Sequence, residues 1–206
     1  PLAGEAAQRA WVVAHWNPHS PSDTAAECGQ ALVTAGADVY VISNPGAMLS
    51  PDHAGWVPSG WHVARRPSVA VVSRWPVRSL DMLLDPSGPV HNAMWLALAT
   101  VEDAEGRPWQ LLVVDLPSNV RMARGTVAVA VAQHLDGVRD RVQPDLVLGD
   151  FNCLESSRIM HVWPRHAPPR PWVCVGWLPT YRLDVPLWRI DWMLAAPPAR
   201  FLRYDT

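Results

Sequence analysis

The residue types best suited to chemistry lie in one short stretch, where the apolar segment Val147-Leu148 runs into Gly149-Asp150-Phe151-Asn152. Because side chains alternate along a strand, an Asp and an Asn two residues apart at its end point their oxygens the same way. Such oxygens suit a hard cation such as Mg²⁺ or a phosphoryl group. A further carboxylate, Asp191, follows about forty residues later. The sequence therefore predicts a polar site at a strand end that includes Asp150 and Asn152, and Asp191 is a further candidate.

Composition narrows the partners, metals and cofactors that we expect for this site. The formal net charge of the 206-residue chain is -2, and all 17 basic residues are Arg, so there is no overall basic field and long nucleic acid is not the expected partner. The three Cys lie far apart without a C-x-x-C pair, so no zinc site is predicted, and no organic cofactor is expected. Eight scattered His, among them His15 and His19, show no metal-ligand spacing.

The chain reads as one domain, residues 1–206, which we expect to be truncated at both ends. The start at Pro1 without an initiating Met is the reason at the N-terminal end. No apolar run approaches the roughly 20 residues needed to cross a bilayer. We therefore expect a soluble domain without a transmembrane segment. The cytoplasm and a membrane-associated position both remain open.

Periodicity and turn residues predict the elements that position the site. Strands are expected at 11–16, 38–43, 68–73, 94–101, 110–116, 145–148, 188–195 and 201–204, and helices at 25–35 and 124–140. Two stretches, 47–66 and 158–180, read as irregular loops. Short strands with few helices and hairpin links favour a sheet-rich α/β sandwich over a doubly wound parallel fold.

Six segments in this order resemble the endonuclease/exonuclease/phosphatase superfamily over nearly the whole chain. They are Trp16-Asn17, Ala37-Asp38-Val39, Val69 to Pro76, Leu112 to Ser118, Gly149 to Asn152 and Arg189 to Leu194, and Pro179-Thr180 matches a further step of bacterial members. The resemblance implies a bacterial α/β protein with a four-layer sandwich, in which two face-packed mixed β-sheets are flanked by helices.

The same resemblance implies roles for the polar residues. In active members a metal ion is held by the Asn of the first strand, here Asn17, and by a Glu that falls on Asn44. The counterparts of Asp150 and Asn152 activate water and hold the phosphoryl group, and the counterpart of Asp191 orients a His near the C-terminus. A second His, in the family's His-Leu-Pro-Ser, falls on Asp115.

The departures from this pattern concern charge. Asn44 brings no charge to the cation, and Asp115 replaces a potential cation by an anion, so we expect Mg²⁺ to bind weakly or not at all. The family's closing Ser-Asp-His would fall beyond Thr206. Two alternatives stay open for single residues: Asp150 and Asn152 form an Asx turn only, or Asp115 supplies the carboxylate that Asn44 lacks, in a cluster with Asp150 and Asn17.

Two functions follow from these residues. We favour a domain with a degraded catalytic site that serves as a structural or interaction subunit of a larger assembly. The alternative is a Mg²⁺-dependent phosphodiesterase or phosphatase that hydrolyses a phosphoester by activated water. A protein partner is expected at Trp- and Pro-rich loops, a composition also typical of surfaces near a membrane headgroup layer. Loop tryptophans are Trp56, Trp61, Trp163, Trp172 and Trp177, and candidate phosphate-contacting arginines are Arg65, Arg66, Arg121 and Arg124, although solvated charge is the simpler reading of these arginines.

Overall fold

A computed structural model describes residues 11–85, 94–119, 122–154, 156–163 and 191–195. Its elements in chain order are β1 (Val13–Trp16), α1 (Ala25–Thr34), β2 (Val39–Ser43), β3 (His62–Arg66), β4 (Val69–Ser73), β5 (Val77–Leu84), β6 (Trp95–Glu102), β7 (Pro108–Asp115), α2 (Arg124–Asp136), β8 (Leu146–Asp150) and β9 (Asp191–Ala195). Short 3₁₀ turns cover Ala54–Trp56 and Arg158–His161. None of the helices among these residues is long and apolar enough to span a membrane.

The strands form two mixed sheets. The first has the order β1-β2-β4-β3, in which β1 and β2 run parallel and the other pairs run antiparallel. The second has the order β5-β6-β7-β8-β9, in which β7 and β8 run parallel and the other pairs run antiparallel. The strand β1 ends just before Asn17, and the strands β2, β7 and β8 end in Ser43, Asp115 and Asp150. The parallel register aligns the ends of β1 and β2 in the first sheet and of β7 and β8 in the second.

Alternation along the strands divides the apolar side chains into three layers of core. One set of side chains fills the space between the sheets: Val39, Val41, Val69, Val71, Leu80, Trp95, Ala97, Leu111, Val113, Leu148 and Met193. The opposite face of the first sheet packs Tyr40 and Ile42 against Leu32 of α1. The opposite face of the second sheet packs Leu112 and Val147 against α2. The order helix, sheet, sheet, helix confirms the predicted four-layer α/β sandwich.

Two strands were missing from the sequence prediction. The predicted loop 47–66 is wrong over its last five residues, which form β3, because four of these five residues are exposed and the strand lacks the buried alternation that signals a strand. It is an edge strand, paired only with β4 within the described residues. The strand β5 was also missed, since its pairing with β6 carries two register irregularities that break the period of two.

Other boundaries shift slightly. The second helix ends at Asp136 rather than at residue 140, and a hydrogen bond from the Gly137 N–H to the Gln133 carbonyl follows. Predictions for residues 164–190 and 201–204 lie outside the described residues.

Candidate functional site

The register of the second sheet places three carboxylates side by side. Asp115 ends β7 and is paired with Asp150 at the end of β8, which is in turn paired with Asp191 at the start of β9. Each Asp lies two residues from a side chain of the core between the sheets, so all three face that side of their sheet. Asp115 and Asp150 are buried and Asp191 is half-buried. The structure therefore brings together the predicted Asp residues along one row.

Two amides from the first sheet face this row. Asn17 directly follows β1 and donates from Nδ2 to Asp150 Oδ2 at 3.3 Å. Asn44 directly follows β2 and donates from Nδ2 to Asp115 Oδ2 at 2.7 Å and to Asn17 Oδ1 at 3.2 Å. We call Asn17, Asn44, Asp115 and Asp150 the polar cluster. Its hydrogen bonds join the two sheets at one end of the sandwich.

Local backbone geometry fixes the cluster. Asn44 and Asn152 both have a φ of +47°, a left-handed conformation that Asn tolerates better than most residues. The Asn44 N–H donates to the Ser68 carbonyl at 2.8 Å, which anchors the turn after β2. A side chain at Gly149 would collide with the carbonyl of Val114 on the neighbouring strand, so this position of the Gly-Asp-Phe-Asn motif requires glycine.

Asp150 and Asn152 form the Asx turn that was considered as an alternative, with the Asp150 side chain as the acceptor. The Asn152 backbone N–H donates to Asp150 Oδ1 at 2.9 Å. The Asn152 side-chain Nδ2 donates to the Leu116 carbonyl at 2.7 Å, which ties the motif to the end of β7. The turn and the cluster coexist, because Asp150 uses one carboxylate oxygen for the Asn152 N–H and the other for Asn17.

Burial makes the carboxylates of the cluster costly to ionise. It is the largest cause that raises the pKa of Asp115 to about 7, and the negative charges of Asp150 and Asp191 raise it further. Hydrogen bonds from Asn44 and Trp95 only partly offset this. Burial likewise raises the pKa of Asp150, opposed by the Asn152 N–H, by Asn17 and by the charge of His19.

Two histidines that sequence reasoning left aside lie at this end. His15 Nε2 is 3.0 Å from Ser43 Oγ, and burial lowers its pKa to about 4, so the imidazole is neutral. The backbone N–H of His19 donates to Asn17 Oδ1 at 3.2 Å, while its side chain is exposed. The spacing of two between His15 and Asn17 could have indicated His15, since alternation along β1 places the two toward one face. His19 lies beyond the strand with a φ of +55°, so no strand period indicates it.

The cluster does not fit a divalent cation well. In the described ranges, no three His, Cys, Asp or Glu side chains gather closely enough to hold one metal ion. Where the family resemblance expects a carboxylate ligand, Asn44 turns its NH₂ group toward the oxygens of Asn17 and Asp115. An amide hydrogen already satisfies the acceptors that would otherwise face a cation.

Known structures share this architecture. The human Nocturnin catalytic domain with bound sulfate superposes with a TM-score of 0.61 at 12% identity, over 85% of this chain and 76% of that one. A Bacteroides thetaiotaomicron endonuclease/exonuclease/phosphatase family protein gives 0.59 at 12% identity, over 91% and 83%. The endonuclease domain of the telomere-specific retrotransposon TRAS1 gives 0.58 at 12% identity, over 91% and 85%.

No protein-family model matches the chain, and no curated protein is significantly similar to it. The structural likeness, at this low identity, defines the fold. The chain has the endonuclease/exonuclease/phosphatase fold that its motifs resemble. That fold is shared by nucleases and phosphatases, so the reaction must be argued from the site.

Proposed function

We propose that this chain is a non-catalytic domain of the endonuclease/exonuclease/phosphatase fold, in which a hydrogen-bonded cluster of amides and carboxylates takes the place of the metal centre. It works as a structural or interaction subunit of a larger assembly. One observation carries the proposal: a single amide, that of Asn44, donates to both Asn17 and Asp115.

The chemistry of that amide explains why the observation matters. A cation at this position would compensate the charge of Asp115 and Asp150, whereas an amide supplies hydrogen bonds without positive charge. Burial is the largest cause that raises the pKa of Asp115 to about 7, and the negative charges of Asp150 and Asp191, which no positive charge in the cluster compensates, raise it further. A cluster of carboxylates and amides without a positive charge stabilises little of the negative charge that develops on a phosphoryl group.

The partner surface of this proposal rests on the predicted loop tryptophans other than Trp56 and Trp163. Trp56 and Trp163 are buried core side chains, and Trp56 Nε1 donates to the Met48 carbonyl. Trp61 is half-buried and stacks on Tyr40. Trp61, together with Trp172 and Trp177, which lie outside the described residues, is the set we propose for a protein interface.

A second candidate is the Mg²⁺-dependent phosphoesterase. It is favoured by the row of Asp115, Asp150 and Asp191, because three carboxylates side by side would attract a cation if their side chains converged. Asp150 would then act on the attacking water and Asn152 on the phosphoryl group.

Metal binding and turnover separate the two candidates. We would titrate the purified chain with Mg²⁺ and Mn²⁺ while following Trp fluorescence, and assay hydrolysis of bis(p-nitrophenyl) phosphate over the same range. The non-catalytic proposal expects no saturable metal signal up to millimolar concentration and no turnover above that of Asp150→Ala.

Asp38→Ala is the matched control, since Asp38 is a half-buried carboxylate paired with Arg74 at 2.9 Å and precedes β2, at the end of that strand away from the cluster. Saturable metal binding together with turnover that Asp150→Ala abolishes and Asp38→Ala preserves would sink the non-catalytic proposal. It would establish the phosphoesterase instead.

A further inference from the structure

The edge strand β3 carries two arginines at the same end of the sandwich as the polar cluster. Arg66 is the last residue of β3 and is paired with Val69 of β4, which is in turn paired with Ser43 of β2. Neighbouring strands are about 4.8 Å apart, so the Arg66 and Ser43 backbones are roughly 10 Å apart. Asn44 is the next residue after Ser43, so Arg66 borders the cluster.

The two arginines leave the strand on opposite faces. Ala64 packs against the core between the sheets. Arg66, two residues later, projects on that same side, at the end of the sandwich that carries the polar cluster. Arg65 projects on the other side, where its Nη2 donates to the Gly46 carbonyl at 2.8 Å. That carbonyl belongs to the loop that carries Asn44. Arg66 therefore lies on the side of β3 that faces the other sheet, and Arg65 is held against the Gly46 loop.

Both guanidinium groups are exposed and keep most of their donors available. Their observed side-chain bonds go to backbone carbonyls, those of Gly46 and Arg65. In the part of the chain that the structure describes, no carboxylate pairs with either of them. By contrast, Arg74, Arg78 and Arg107 each bind an Asp or Glu at 2.5–2.9 Å.

We propose that Arg65 and Arg66 form a binding site for a phosphate group at the rim of the polar cluster. A guanidinium presents five donors in a planar fork that matches the oxygens of phosphate. Arg65 is pre-oriented by its bond to Gly46, which lowers the entropy lost on binding. The carboxylates of the cluster repel a phosphate and the two arginines attract it, so a phosphate is directed to the rim.

This site goes beyond the proposed function, because binding at the rim requires neither a metal ion nor turnover. The competing explanation for the same residues is protection of an exposed sheet edge, for which charged side chains are common. The two explanations differ in one respect: edge protection predicts no saturable binding of phosphate.

Calorimetric titration of the purified chain with inorganic pyrophosphate, at low ionic strength and in EDTA, tests the proposal. We expect saturable binding that weakens as NaCl is added, and at least a roughly tenfold loss of affinity in the double variant Arg65→Gln/Arg66→Gln, since charge-assisted hydrogen bonds are lost. Arg139→Gln is the control. Arg139 is exposed in the turn after α2, at the far end of a 13-residue helix about 20 Å long.

Vesicles distinguish the source of the phosphate. Binding to vesicles that contain a phosphoinositide, but not to pure phosphatidylcholine, would assign the rim to a lipid headgroup, whereas binding of pyrophosphate alone would assign it to a soluble phosphate compound. The proposal is overturned if the wild-type chain binds neither probe at millimolar concentration, or if the folded double variant binds as tightly as Arg139→Gln. Thermal melts confirm that each variant is folded.

Discussion

Two buried aspartates lie at opposite ends of the β6–β7 pair and meet opposite electrostatic conditions. Asp103 lies in the turn between the two strands, where the backbone N–H groups of Glu105 and Arg107 bind one oxygen at 2.9 and 2.8 Å. Arg107 Nε and Trp109 Nε1 bind the other at 2.8 and 3.3 Å. Asp115, at the far end of β7, has the amide of Asn44 and the side chain of Trp95 as its donors.

The pKa values follow from this difference. Burial alone would raise the pKa of Asp103, but its hydrogen bonds outweigh that effect and lower the pKa. Burial raises the pKa of Asp115 to about 7, because its donors are few and its charged neighbours are carboxylates. Burial by itself thus does not decide the charge of an aspartate; the number of donors and the sign of the neighbours do.

The same contrast extends to the surroundings. Near Asp103, Trp11 packs on Trp75 and Trp109 with ring centroids 4.8 and 4.9 Å apart, and Asp38 pairs with Arg74. At that end, apolar and charged groups satisfy one another. At the cluster end, amides face carboxylates and the nearby arginines are unpaired with acids among the described residues, which is typical of a surface that meets a ligand or partner.

Asn44→Asp should have the largest effect. It replaces the donor to Asp115 by a second carboxylate of equal size, while the left-handed backbone stays accessible to Asp. We expect a loss of about 3 kcal/mol in the free energy of unfolding at pH 8 in EDTA, measured by urea denaturation. The loss should be smaller at pH 5, where carboxyls take up protons.

Asn152→Asp is the matched control, since Asn152 has the same φ of +47° and its side-chain Nδ2 donates to the Leu116 carbonyl and not to Asp115. If Mg²⁺ restores most of the stability lost by Asn44→Asp, this end still forms a cation site once its carboxylate is supplied. Equal losses in the two Asn variants would show that any new carboxylate close to Asp150 has this cost, and that the bond from Asn44 to Asp115 has no special part in it.

Asp103→Asn should have the next largest effect on the free energy of unfolding. The amide cannot replace both the charge and the acceptor capacity that four donors use, so the expected loss is about 2 kcal/mol at pH 7. The lowered pKa of Asp103 means that the wild-type contribution is present above the unfolded pKa and disappears as pH falls through the folded value. A variant as stable as the wild type in urea would remove the contrast between the two ends.

Asp115→Asn should have the smallest effect and the opposite sign. In wild type, the folded chain holds a proton on Asp115 between pH 4 and about 7 that the unfolded chain has released, so stability falls as pH rises through this window. The neutral amide removes that fall, and we expect a gain of about 1 to 2 kcal/mol at pH 8 and little change near pH 4. Thermal melts at both pH values would detect it; a loss at pH 8 would contradict the raised pKa.

Much of the fold was predictable because burial leaves a pattern in sequence. The strands β2, β4 and β8 are buried at every position, and the continuous apolar runs indicated them correctly. The strands β3 and β5 were not predictable in the same way, since exposed or irregular edges carry no such period. The strand β3 matters for the proposed phosphate site, because it carries Arg65 and Arg66.

The sequence by itself determined the chemical types at the site and their strand-end positions: the Gly-Asp-Phe-Asn motif that carries Asp150 and Asn152, and the departures at Asn44 and Asp115. The need for glycine at position 149 follows from the neighbouring strand β7, with which a side chain would collide. Only the tertiary structure decided how these residues meet. Strand register and the packing of two sheets brought residues 133 positions apart, Asn17 and Asp150, within hydrogen-bond distance. Non-local pairing set the direction of the Asn44 amide and the pKa of Asp115, because both depend on groups that sequence spacing does not place together.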